Sequence, residues 1–256
     1  MAETVGLAFA LLGAFNNTVE CFNYIQVARN FDQGVQTAVL KLDIAKLRLS
    51  RWGHSVGLDR VEEGMQALPG VAGSADDLAR AKDVLEQILE LFDDAEKRSS
   101  KLKSNEKDVQ LNLDQAASAL HRKLAALSIK RFVPKNVLEK AKWALHKEKY
   151  LNRLIQDITE LVNGLIELFP AAQPEQTRLC AEEGSELALD QHVSLIKDIV
   201  AEQDPELSAA INKAKMSAGR ERQAFNITFS GGVNHGLQQG YFSGTQTNHF
   251  GTRPLS

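Results

Sequence analysis

An all-α domain followed by a terminal segment of different character is the architecture this sequence predicts. Apolar residues recur at three- and four-residue intervals in every long segment up to about residue 217, the spacing that gives a helix one buried face. No stretch of that body alternates apolar and polar residues for long enough to build a sheet. From Gln223 to Thr252 there is no Asp, Glu, Lys or Arg, although 25% of the 256 residues are charged. The chain therefore divides into a helical body, 1–217, and a tail, 218–256.

The first element is apolar. Val5 to Phe15 (VGLAFALLGAF) has the length of a signal-peptide core, but Glu3 stands where a positive flank belongs. It is too short to span a bilayer alone. Extended to Ala28, the segment carries Glu20 as its single charge after Val5. Gly6, Ala10 and Ala14 recur every four residues, a stripe that permits close helix approach. In the resting protein this segment reads as a buried core helix. It has the apolarity to enter a membrane if released.

Residues 33–54 follow with Val35, Val39, Leu42, Ala45, Leu49 and Trp52 in helical phase. Gly53 and Gly57 punctuate the chain, and 56–73 reads as a loop. Ser74 and Asp77 form a capping box ahead of Leu78, Val84, Leu85, Ile88, Leu91 and Phe92. The polar run Lys97–Lys107 connects to a helix over about 108–131, and Pro134 suits the start of a long helix to 168. Along it Leu151, Ile155, Ile158, Val162, Leu165 and Phe169 form a seam that Pro170 and Pro174 end. Two more helices are expected over 174–200 and 205–217, the latter with Asp204 as N-cap and Pro205 at its first position. Trp52 and Trp143 both fall in apolar stripes and should be buried.

The tail has a period of two. Phe225, Ile227, Phe229, Val233, Leu237 and Tyr241 are at odd positions, whereas Asn226, Thr228, Ser230, Asn234 and Gln238 are at even ones. In an extended chain that sorts apolar and amide side chains onto opposite faces. Composition alone reads as a disordered tail, and glycines at 231, 232, 236, 240 and 244 are many for a steric zipper. The parity and the missing charges instead point to cross-β stacking with other copies of the same kind of segment, with Asn and Gln ladders.

Composition narrows the function. Net charge is −3 with no long basic run, which argues against a nucleic-acid partner. Two distant cysteines, Cys21 and Cys180, fit a reducing cytoplasm and read as buried small hydrophobes. No phosphate-cradling glycine loop or zinc-protease motif is present. His121 and His146 read as satisfied or solvent-facing, and Asp93, Asp94, Glu182 and Glu183 as solvated helix faces. The reading is of a protein that is not an enzyme, with no cofactor and no metal.

Several strings resemble one family. LDIAKLRLSRWG (42–53), GAFNNTVECFNYIQ (13–26), ALHRKL (119–124) and KAKWAL (140–145), with the helix ending in FP (169–170), are similar in order and spacing to the HeLo domain of the fungal HET-S/HET-s family. The resemblance covers about 1–215. It implies a multi-helix HeLo-like bundle that dimerises when soluble and acts as a membrane-targeting cell-death effector. The segment marked by Val5, Gly6, Ala10, Leu11, Leu12, Ala14, Phe15 and Glu20 would be exposed on activation and inserted into the plasma membrane. The tail lacks that family's two charged pseudo-repeats. Asn234, Gly236, Leu237, Gln238 and Gly240, with Gly244 beyond, resemble instead the short pseudo-palindromic amyloid signalling motifs of fungal effectors and NLR-like receptors. These share an apolar-Gln-x-Gly core with animal RHIM sequences, from which Gln239 departs. A matching NLR-like receptor and membrane lipid are the implied partners. Two other readings remain: a non-toxic HeLo adaptor or inhibitor, and a plain helical scaffold with a disordered tail.

Overall fold

The computed structural model describes residues 2–23, 25–27, 33–61, 73–100, 113–131, 143–145 and 148–224. The described body is a bundle of eight α-helices: α1 (Ala2–Cys21), α2 (Gln33–Ser55), α3 (Ala75–Ser100), α4 (Gln115–Arg131), α5 (Glu148–Leu168), α6 (Gln173–Ala188), α7 (Lys197–Gln203) and α8 (Pro205–Ala224). The all-α expectation holds, with one correction. Ile25–Val27 (β1) and Trp143–Leu145 (β2) pair in parallel, Ile25 opposite Trp143. Each is three residues long, too short to show a period of two.

α2 is the centre of the bundle. One of its faces, with Val39, Leu42, Ala45, Leu49 and Trp52, joins a core shared with α1, α3 and α5. The opposite face, with Leu40, Ile44 and Leu47, joins a second core built from α4, α6, α7 and α8. A helix flanked on both sides buries its polar positions as well. Asp43, Lys46, Arg48, Ser50 and Arg51 are all inside. Each therefore needs a partner, since a buried charge without one is costly.

Local chemistry sets the element ends. The Ser74 hydroxyl accepts from the Asp77 N–H at 3.2 Å while the Asp77 carboxylate accepts from the Ser74 N–H at 2.8 Å, so the capping box exists. Hydrogen bonds donated by the Ser74 N–H and by its hydroxyl pull the Asp77 carboxyl below its usual range. Asp204 accepts from the Leu207 N–H at 3.2 Å and caps α8 as expected. The seam of α5 is buried from Leu151 to Phe169.

Several boundaries differ from expectation. α3 continues to Ser100, into the run read as a connection. α4 starts at Gln115, where Asp114 accepts from the Ala117 N–H at 2.7 Å. The long helix expected over 134–168 is not continuous, because Trp143–Leu145 is committed to β2 and α5 begins at Glu148; a tertiary strand pairing overrides the helical pattern at 143–145, and residues 134–142 lie outside the described residues. The single helix expected over 174–200 is three pieces: α6, a 3-10 turn at Val193–Ile196, and α7. Asp190 makes the break, its carboxylate accepting from the His192 N–H at 2.8 Å. α8 runs on through residue 217 to Ala224. The side chain of Trp143 and all of His146 lie outside the described residues.

Candidate functional site

The N-terminal helix and its seat are the part of the candidate machinery that the structure describes. α1 has two unlike faces. Ala8, Leu11, Ala14, Phe15, Thr18 and Val19 are buried, whereas Gly6, Ala10, Gly13 and Asn17 are exposed. Val5 and Leu12 lie at the edges, half-buried. The stripe Gly6–Ala10–Ala14 is therefore divided, two members outside and one inside. Four residues turn a helix about 400°, so such a stripe drifts around the axis. A Cβ at Gly6 or Gly13 would meet nothing within 4 Å. Among the described residues, nothing makes a close approach at Gly6.

Phe15 is the anchor. Its ring lies 5.9 Å from that of Trp52, which packs edge-on against Phe169 at 5.6 Å. Gly53, next along α2, leaves the room: a Cβ there would come within 2.3 Å of the Phe15 ring. Three residues further along α1, the Thr18 hydroxyl lies 2.8 Å from the carbonyl of Ala14 and 3.4 Å from that of Leu85 on α3. Phe22 stacks edge-on against Phe92 of α3 at 5.1 Å. The chain then turns, the Asn23 N–H donating to the Glu20 carbonyl at 2.8 Å. Lys46 of α2 holds that turn by donating to the Asn23 side-chain oxygen at 2.6 Å.

This geometry corrects the extended reading of the segment. The helix stops at Cys21, and the chain re-enters the fold as β1 instead of continuing to Ala28. No helix among the described residues is long and apolar enough to cross a membrane. Glu20 is 5% exposed, inside the resting protein.

Sequence reasoning missed the charges around α2. Glu183, expected on a solvated face, is fully buried against Arg51, 2.7 Å from Nη2. The same guanidinium donates to Asp204 at 2.8 Å. Burial opposes its charge, but the two carboxylates hold the Arg51 pKa well above its ordinary value. Arg48 donates to Asn163 at 2.8 Å. On the other side of α2, His121 Nδ1 lies 2.7 Å from Asp43 Oδ2. Burial raises the Asp43 pKa and lowers that of Lys46, while the hydrogen bond to Asp43 raises that of His121. Glu183 had a signal in the sequence: it is in phase with Leu179, Cys180 and Leu187, the buried stripe of α6.

Among the described residues, no group of His, Cys, Asp and Glu is arranged to hold a metal ion. Cys21 and Cys180 are both buried and form no disulfide, and burial raises the Cys180 thiol pKa. The amyloid motif read at Phe225, Ile227, Phe229, Val233, Asn234, Gly236, Leu237, Gln238, Gly240, Tyr241 and Gly244 lies outside the described residues.

A helical bundle around a central helix buried through its middle, with an apolar N-terminal helix laid against its side, is the class of domain these features define. The HeLo family model, described as prion-inhibition and propagation, matches residues 4–199. The chain belongs to the HeLo family. It is 31% identical over 225 residues to heterokaryon incompatibility protein S of Podospora anserina, covering 85% of this chain and 76% of that protein. It is also 31% identical over 230 residues to heterokaryon incompatibility protein s of the same organism, covering 86% and 78%. The solved HET-s N-terminal domain superposes with a TM-score of 0.70 at 29% identity, covering 82% of this chain and 98% of that one. A double mutant of that domain gives 0.69. The chain is thus related to the heterokaryon incompatibility proteins in both sequence and fold.

Proposed function

We propose that this protein is a cell-death effector, acting in heterokaryon incompatibility or downstream of an NLR-like receptor. In this reading it waits in the cytoplasm, and a partner with a matching motif templates cross-β assembly of residues 225–250. Assembled tails crowd several helical bodies together and raise their local concentration steeply. Crowding releases α1, and several copies enter the plasma membrane and permeabilise it. The observation that carries the reading is the seating of α1: an apolar N-terminal helix held by one face through Phe15, with Gly6, Ala10 and Gly13 on its free face.

Because α1 ends at Cys21 and carries Glu20 near that end, a dry single span is a poor description. A carboxylate at the bilayer centre costs about 3 kcal/mol on insertion scales. An oligomeric pore in which Glu20 lines water avoids that cost.

The same observation favours a second reading, a non-toxic adaptor or inhibitor that co-assembles through its tail without insertion. Vesicle leakage separates the two. Full-length protein, seeded with fibres of a 218–256 peptide, should release dye from anionic vesicles, and a variant lacking residues 2–21 should form fibres without release. Fibre formation by the full-length chain with intact vesicles would establish the adaptor.

A further inference from the structure

We infer that the cluster Arg51–Glu183–Asp204 is a latch coupling the tail-bearing helix α8 to the seat of α1. The inference rests on the release of α1 proposed above and adds how that release is controlled.

Asp204 has three duties. Its carboxylate caps α8, accepting from the Leu207 N–H at 3.2 Å, accepts from Arg51 at 2.8 Å, and lies 4.0 Å from Arg48 Nε. The start of α8 and the middle of the bundle thus share one side chain. Arg51 is followed along α2 by Trp52 and Gly53, the two residues that seat Phe15 of α1. The path from the cap of α8 to the anchor of α1 is one ion pair and one turn of helix.

α8 is built as a lever about that point. Leu207 and Ile211 are buried, and Gly184 of α6 lets it approach closely, since a Cβ there would lie 2.6 Å from Cβ of Ala210. Past Ile211 no described side chain of α8 is buried, yet the helix continues to Ala224, into the 218–256 segment. A load on the tail therefore meets little resistance until it reaches the first turns of α8. If Asp204 is drawn away there, Arg51 keeps only Glu183. A buried guanidinium short of a partner must move or draw in water, and the turn of α2 that carries Trp52 and Gly53 moves with it.

Asp204→Asn tests the latch, because asparagine caps helices as well as aspartate but brings no charge to Arg51 or to its neighbour Arg48. Amide hydrogen exchange on the full-length, unseeded protein without vesicles should show residues 11–19 of α1 exchanging faster by about tenfold or more. Residues 120–127 of α4, in the second core, should change by no more than about twofold. Leu207→Ala, which loosens α8 and leaves the carboxylate in place, should speed exchange in α8 and not in α1. If Asp204→Asn fails to fold, Arg51→Lys serves, since lysine lacks the planar fork that meets both carboxylates here; it should reproduce the selective exposure of α1. Unchanged exchange in α1, equal acceleration in α1 and α4, or acceleration of α1 by Leu207→Ala would each overturn the latch. Because membranes are absent, that failure is distinct from a failure of the leakage assay.

Discussion

Phe15 of α1 and Gly53 of α2 fit as ring and socket: a Cβ on Gly53 would lie 2.3 Å from Cζ of Phe15. Glycine in a helix interior ordinarily loses about 1 kcal/mol to alanine. Here the sign reverses, because the added methyl collides with a fully buried ring against Trp52. Gly53→Ala should destabilise the domain by about 1–3 kcal/mol through overpacking, read as a lower urea midpoint with unchanged slope. Phe15→Ala should cost more, about 3–5 kcal/mol. A neutral or stabilising Gly53→Ala would show that the ring moves aside freely.

Arg51 leaves two buried carboxylates behind when it is removed. Arg51→Met should cost about 3–5 kcal/mol at neutral pH, although methionine fits the volume. A loss below about 1 kcal/mol would mean that packing, not charge, is what the side chain provides.

His121 makes stability depend on pH in a stated direction. Its hydrogen bond to Asp43 raises its pKa above 6.5 in the folded state, against a smaller effect of burial. A raised pKa contributes stability in full below the unfolded value, and that contribution is lost as pH rises through the folded one. The stability gap between wild type and His121→Asn should therefore be wider at about pH 6 than at about pH 9. Equal gaps in urea titrations at the two values would contradict the assignment.

The tail should assemble without the body. A 218–256 peptide should form fibres with a cross-β spacing of about 4.7 Å. Leu237→Pro or Gln238→Pro should prevent this by removing a ladder donor and fixing the backbone. A peptide that stays monomeric at high concentration would contradict the amyloid reading.

What the sequence made legible was whatever is written in local periodicity or local capping. The seam Leu151–Phe169, the Ser74–Asp77 box and the Asp204 cap each depend on residues within a few positions of one another, and each is present. The strands were hidden, since a three-residue parallel pair joins distant segments and leaves no alternation to read. The break after Ala188 was hidden because Asp190 makes it with a side-chain hydrogen bond and no proline or glycine marks it. Asp204 was seen as a cap but not as the partner of Arg51. Ion pairing across helices cannot be read from either helix alone. That α1 packs by the face of Phe15, with Gly6 and Ala10 outside, follows from where Trp52 and Leu85 lie.

The central claim is that tail assembly unseats α1. It is tested most directly by hydrogen exchange of the full-length protein before and after seeding with 218–256 fibres in the presence of anionic vesicles. Residues 11–19 should lose their native protection on seeding, while residues 120–127 of α4 keep theirs. Fibres that form, and vesicles that leak, with α1 still fully protected would contradict the account.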